Sequence, residues 1–205
     1  MTSRRRVVHP DRNFLIHPSY IAMFLLLAGI TALFLGFSGA YLYNRIQQNI
    51  PPVSLPSLFY WNTLILLASS GTLVLAKRAY LQDNTAKYRL SLLATLGLTF
   101  GFLAAQILAW YQLSNQDIFI NYSNMASYLY VISGLHLAHV VAGIPFLLLF
   151  IVTAYRKMKT PVSVFIYFTD DSKRRKLNLL NIYWHYLDGL WIYLILFFLL
   201  NYLIK

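Results

Sequence analysis

The chain has 205 residues, 59% of them hydrophobic and 11% charged, with a formal net charge of +11. A soluble domain carries roughly a quarter of its residues as charges, so this composition is that of an integral membrane protein. It contains no cysteine, which excludes disulfides, thiolate metal sites, Cys nucleophiles and c-type haem attachment, and its basic residues form no face interleaved with aromatics of the kind that binds nucleic acid.

Residues 1–17 read as a basic tail holding Arg4, Arg5, Arg6 and Arg12, ahead of a single membrane domain over 18–205. Five apolar segments follow, each near the 20 residues that a spanning helix needs. The first, over 19–43, is too long and too far from the start to be a cleaved signal peptide. It ends in "LFLGFSGAYLY", where Gly36, Gly39 and Ala40 predict a close-packing face. The connection "NRIQQNIPPVSLPS" is Pro-rich and cannot continue the helix.

The second segment, 58–79, carries Asn62, Thr63, Ser69, Ser70 and Thr72, a spacing of small and hydroxyl residues that predicts a packing seam. The third, 90–113, contains Gln106, expected in an interhelical hydrogen bond. The fourth, 124–155, follows the short polar "SNQDIFINYS". Residues 156–177 then hold "VSVFIYF", placed along the membrane surface, and "TDDSKRRK", read as a charged anchor. The fifth segment is 179–204. Continuous apolar runs exclude the alternating pattern of a β-barrel, so the fold class is all-α, a polytopic bundle of five transmembrane helices.

Orientation follows from the basic residues. The tail, the second loop (Lys77, Arg78, Lys87, Arg89) and the fourth loop (Arg156, Lys157, Lys159, Lys173, Arg174, Arg175, Lys176) lie on one side, leaving only Arg45 and Lys205 on the other. The rich side is cytoplasmic by the positive-inside rule, with the N-terminus inside and the C-terminus outside.

Few polar residues lie at membrane depth. The fourth segment has "VISGLHLAHVVAGIPFLLLF", with His136 and His139 on one helical face and Gly134, Ala138, Ala142 and Gly143 allowing close approach. The fifth has "NIYWHYLDGLWIYLILFFLL", with His185 and Asp188 between Trp184 and Trp191. The chain has no Glu, and of its six Asp only Asp188 lies inside an apolar segment. A carboxylate there costs several kcal/mol by insertion scales, about 2.5 or more. His139 and Asp188 lie at similar depth, so contact between these two segments is expected to pair a histidine with the aspartate. Four uses of these residues remain open: helix-to-helix contact, a lipid-headgroup or proton-linked role in a larger complex, bis-His haem ligation by His139 with His185, and a small proton-coupled carrier. No nucleophile–base set, phosphate loop or metal cluster is present.

"GLHLAHVVAG" (134–143) resembles the G-x-H-x-x-H-V segment of subunit III of haem-copper respiratory oxidases, and "YWHYLDGLW" (183–191) resembles that family's last-helix signature. "WNTLILLASS", "LGLTFGFLAAQ" and "FLGFSGAY" are similar to its flanking helices, and the likeness runs through all five segments. The resemblance implies the short five-helix bacterial form, a multi-pass protein of the bacterial cytoplasmic (inner) membrane. It implies no redox centre in this chain, with haem and copper in partner subunits. It also implies direct contact with oxidase subunit I, with subunits II and IV in the same complex, membership of a larger supercomplex as a further option, and bound phospholipid. The function implied is a non-catalytic subunit supporting oxygen reduction and proton translocation, with a quinol oxidase or a nitric oxide reductase as the related alternatives. The lipid- or proton-linked candidates are His136, His139, Trp184, His185, Asp188 and Trp191. The packing candidates are Asn62, Thr63, Ser69, Ser70 and Gln106. One departure is plain: where many members have a buried Glu in the first of these helices, this chain has Ile30.

The charge count makes a topological prediction. A cysteine placed at Arg175 should be labelled by an impermeant thiol reagent only in inverted vesicles; labelling in right-side-out vesicles would reverse the orientation.

Overall fold

A computed structural model describes residues 17–204, so all of the basic tail before His17 lies outside the described residues. Six helices follow one another: α1 (Pro18–Gln48), α2 (Ser57–Leu81), α3 (Thr85–Ser114), α4 (Asn124–Lys157), α5 (Pro161–Phe168) and α6 (Asp171–Leu203). All except α5 are long and apolar enough to cross a membrane. Among the described residues there is no strand. The five long helices form a closed ring in which α1 meets α4 and α6, α4 meets α3, α3 meets α2 and α2 meets α6; α4 and α6 also touch across the ring.

The helices are longer than the apolar segments. The α3 helix starts at Thr85, where the Asn84 side chain accepts from the Lys87 amide, and α6 starts at Asp171, where Asp170 accepts from the amides of Ser172 and Lys173. Hydropathy marks the span, whereas the cap marks where helical hydrogen bonding begins. The Lys173 ammonium lies 3.0 Å from Asp170, and the hydrogen bond between them holds this carboxyl below its usual range. The short α5 starts with a capping box between Thr160 and Ser163 and has Pro161 in its first turn. It turns Tyr167 and Phe168 inward and leaves Val162, Phe165 and Ile166 exposed.

Two arginines tie helix ends together. The Arg89 guanidinium donates to the carbonyls of Ala154 and Met158 at 2.9 and 2.7 Å and covers the Tyr155 ring. It satisfies the open carbonyls at the end of α4. At the opposite end of the bundle, Arg45 donates to Asn201 at 2.7 Å and to the Ile204 carbonyl, closing α1 onto α6.

One sequence expectation fails. Gly36 and Gly39 do not form a packing face within the chain; both are exposed, and a Cβ on either would meet nothing within 4 Å. The buried face of α1 is Ile30, Phe34, Ser38 and Tyr41, about one turn apart and on the other side of the helix. On α4, Ala138 and Ala142 are likewise exposed, while Gly143 is buried. A Cβ at Gly143 would stand 3.0 Å from the rings of both Tyr183 and Trp184, whereas one at Gly134 would lie 3.8 Å from Trp110.

This contrast gives a paired prediction. Gly134→Ala removes a helix-weakening glycine worth up to about 1 kcal/mol at no steric cost, so its thermal midpoint in detergent should be unchanged or higher. Gly143→Ala gains the same propensity but overpacks the α4–α6 contact, a penalty of about 1–3 kcal/mol, so its midpoint should fall. Equal midpoints would show that the contact relaxes freely.

Candidate functional site

The polar residues of α4 and α6 converge where these helices touch, with α2 and α3 closing one flank. His136 is fully buried, and its Nε2 donates to the Leu187 carbonyl of α6 at 3.1 Å. Its ring lies 4.8 Å from Trp191 and 5.8 Å from Phe102, centroid to centroid. Tyr183 returns a bond in the other direction, donating to the His139 carbonyl at 2.8 Å. Gly143 makes that reach possible, because it presents no side chain where the Tyr183 ring passes.

The other side of α6 is bonded to α2 in rungs. The Trp191 indole donates to the Thr63 hydroxyl at 3.2 Å, and the Trp184 indole to the Ser69 hydroxyl at 3.3 Å. Ser70 meets His185 Nδ1 at 2.6 Å. The rungs pair Thr63 with Trp191 and, six or seven residues away on each helix, Ser69 with Trp184 and Ser70 with His185, close to two turns, which lets them recur along one pair of faces. The α2–α3 contact carries its own pair, with the Asn62 amide donating to Gln106 at 2.9 Å and both side chains fully buried. Asn62 Oδ1 and Gln106 Nε2 find no further partner among the described residues. Thr72 and Thr95 add a second α2–α3 bond at 2.8 Å.

The expected pairing of a histidine on α4 with Asp188 does not form. His136 bonds backbone instead, and His139 turns its Nδ1 to the Leu135 carbonyl of its own helix at 2.7 Å while its ring packs on Phe34 of α1. Asp188 faces the α2 side, where His185 Nδ1 is 3.8 Å from its Oδ2. Its side chain is only 6% exposed, and neither oxygen has a hydrogen-bond partner among the described residues. The three-residue spacing places His136 and His139 about 60° apart on α4, enough to send one toward α6 and the other toward α1.

The same geometry separates the two histidines suggested as a haem pair. His139 bonds within α4 beside α1, and His185 bonds to α2. Among the described residues no group of three or more His, Asp or Glu gathers as a metal ligand set. Ile30 belongs to the buried stripe of α1. Sequence reasoning missed Tyr183 and Arg89; the signal for Tyr183 was its spacing one residue ahead of Trp184, opposite the glycine at 143.

The sequence model of the family described as cytochrome c oxidase subunit III matches residues 23–202. The chain belongs to that family. It is 27% identical to cytochrome c oxidase subunit 3 of Alkalihalophilus pseudofirmus, over 94% of this chain and 92% of that protein. The protein of the same name from Bacillus sp. (strain PS3) is 26% identical over 90% of this chain and 87% of its own length. That of a Synechocystis species is 27% identical over 96% of this chain and 77% of its own length. Membership of the subunit III family makes this chain a membrane component of an oxidase complex with other subunits.

The buried amide pair is directly testable. Asn62→Leu should leave the Gln106 amide unpartnered and lower stability by about 1–3 kcal/mol, while Asn62→Leu with Gln106→Leu should recover most of the loss. Thermal denaturation in detergent of the two variants decides it; additive losses would mean that the pair is not coupled.

Proposed function

We propose that this chain is the non-catalytic subunit III of a proton-pumping haem-copper terminal oxidase, in which a larger partner, subunit I, holds the haem and copper. In this reading it sits in the bacterial inner membrane with the N-terminus cytoplasmic, beside subunits II and IV. Its work is to hold subunit I in a stable, lipid-bordered setting during oxygen reduction. The observation that supports it most is the use of the two signature motifs. His136, Tyr183, Trp184, His185 and Trp191 each bond to a neighbouring helix. Side chains engaged in this way bind helices together.

Phospholipid fits beside the end of α1 in the same reading, since that helix makes its main contacts with α4 and α6 and borders a hollow. This hollow, about 840 Å³, lies between the end of α1, residues 49–52 and the end of α6, with Arg45 on its wall. The basic residues of the loops next to α2 and α6 serve as cytoplasmic anchors.

Gentle solubilisation and a pull on this chain should bring down a large haem-bearing subunit with a reduced-minus-oxidised difference spectrum. A chain that purifies alone and haem-free from intact complexes would sink the reading. Within the complex, Asp188→Asn should lower retention of the subunit several-fold, roughly three-fold or more, by removing the carboxylate that lies behind the His185 ring, while the initial oxygen-consumption rate stays close to wild type. An intact mutant complex inactive from its first turnover would instead place Asp188 in the chemistry.

A further inference from the structure

We propose that the outward face of α6 around His185 and Gly189 is a docking seam for a transmembrane helix of another subunit, one that presents a hydrogen-bond donor within the membrane span at the level of His185. This rests on the reading that the chain works inside an oxidase complex, and it adds where and through what chemistry the chain is held.

The first observation is the outward stripe itself. Ile182, His185, Gly189 and Leu196 follow one another at helical spacing and are all exposed. Gly189 interrupts the bulk of the stripe, and a Cβ there would meet nothing within 4 Å. Beside it runs an apolar groove of about 290 Å³ between α1 and α6, with Gly189 on its floor and Leu35 and Tyr193 among its walls. The one polar pair on the groove, Thr31 with Tyr186, is already satisfied at 2.7 Å. A small residue beside an apolar groove lets a second helix come close, which is what helix association in a bilayer requires.

The second observation is chemical. His185 is 40% exposed in its side chain although it lies within the span. It is six residues past Leu179, where the apolar segment begins, about 9 Å along the axis at 1.5 Å per residue. That places it inside a hydrocarbon core about 30 Å thick, where acyl chains cannot bond it. Ionisable groups at this depth face protein partners or water-lined cavities.

The third observation sets the partner's chemistry. His185 Nδ1 is held on the inside by the Ser70 hydroxyl at 2.6 Å, with the buried carboxylate of Asp188 3.8 Å away and otherwise unpartnered. Two inward oxygens of this kind favour the proton on Nδ1, and the bond made by one ring nitrogen fixes the role of the other. We assign the Nδ1–H tautomer, which leaves Nε2 as an outward acceptor with no partner among the described residues. The complement is a donor: a hydroxyl, an indole N–H, or a Lys or Arg that would also balance the carboxylate behind the ring.

The test uses the complex in native membranes, with a photo-reactive benzoyl-phenylalanine at Ile182 or Leu196. Both positions should crosslink to another subunit of the haem-bearing complex. His185→Ala should cut that yield roughly three- to twenty-fold, the range expected for one interhelical hydrogen bond in a bilayer, and His185→Gln, which keeps an acceptor, should restore part of it. Gly189→Leu should release the chain from the complex while leaving the thermal midpoint of the isolated chain unchanged, since nothing inside the chain opposes a side chain there. Crosslinks only to lipid or to a second copy of this chain would overturn the seam, as would yields indifferent to His185→Ala or a Gly189→Leu chain that stays bound. If the wild-type chain does copurify with haem while the crosslinks miss, the oxidase reading stands and the seam alone falls.

Discussion

Apolar contact gives a transmembrane helix little preference for protein over lipid, so α6 needs polar side chains to fix its place. Its indoles and imidazole meet hydroxyls of α2, and its backbone and Tyr183 exchange bonds with α4. These contacts act together because α4 and α6 approach closely at Gly143. Without that approach Tyr183 could not reach the His139 carbonyl, and the Leu187 carbonyl could not meet His136. A buried polar group whose partner is removed costs more than the bond contributed, so each rung penalises any other arrangement of the helices. The ring of five helices is therefore fixed from its centre, with α2 and α3 as one flank and α1 as the other.

Much of this was legible in the sequence. Five spans, their order and the absence of strands among the described residues follow from apolar runs of sufficient length, and the α2 seam was marked by hydroxyl spacing. Helix ends were not, because the first turns of α3 and α6 are polar and are set by Asn84 and Asp170 rather than by hydropathy. Rotational phase was the other blind spot. Gly36 and Gly39 suggest close packing at the level of composition, yet which way they point depends on the α1 stripe of Ile30, Phe34 and Tyr41. The histidine–aspartate pairing failed for the same reason: similar depth on two touching helices does not determine azimuth, and Asp188 faces α2 rather than α4.

Ile30 shows what an aliphatic residue does on the inner face of α1. The residue occupies a buried place on α1 and joins the apolar core. A carboxylate there would have required a donor from α4 or α6, and His139, the ring packed near that stripe, already directs its Nδ1 to Leu135. An aliphatic side chain needs none, so the buried stripe of α1 makes its contact by shape and by the aromatic set of Phe34 and Tyr41. The hydrogen bonds of α1 lie off that stripe, at Thr31, Asn44 and Arg45, while the α2–α6 and α4–α6 contacts carry theirs within the packed faces.

This difference bears on how the chain would sit in a larger assembly. The face of α1 opposite its buried stripe is smooth and small at Gly36 and Gly39; it makes no polar demand on its surroundings and is compatible with lipid. The face of α6 at His185 does make such a demand, since an imidazole backed by a buried carboxylate cannot be satisfied by hydrocarbon. Within one chain, then, hydrogen bonds join the inner faces of neighbouring helices, and the acceptor at His185 is placed on an outer one. An asymmetry of this kind distinguishes a helix bundle that is complete in itself from one whose structure is completed by a neighbour.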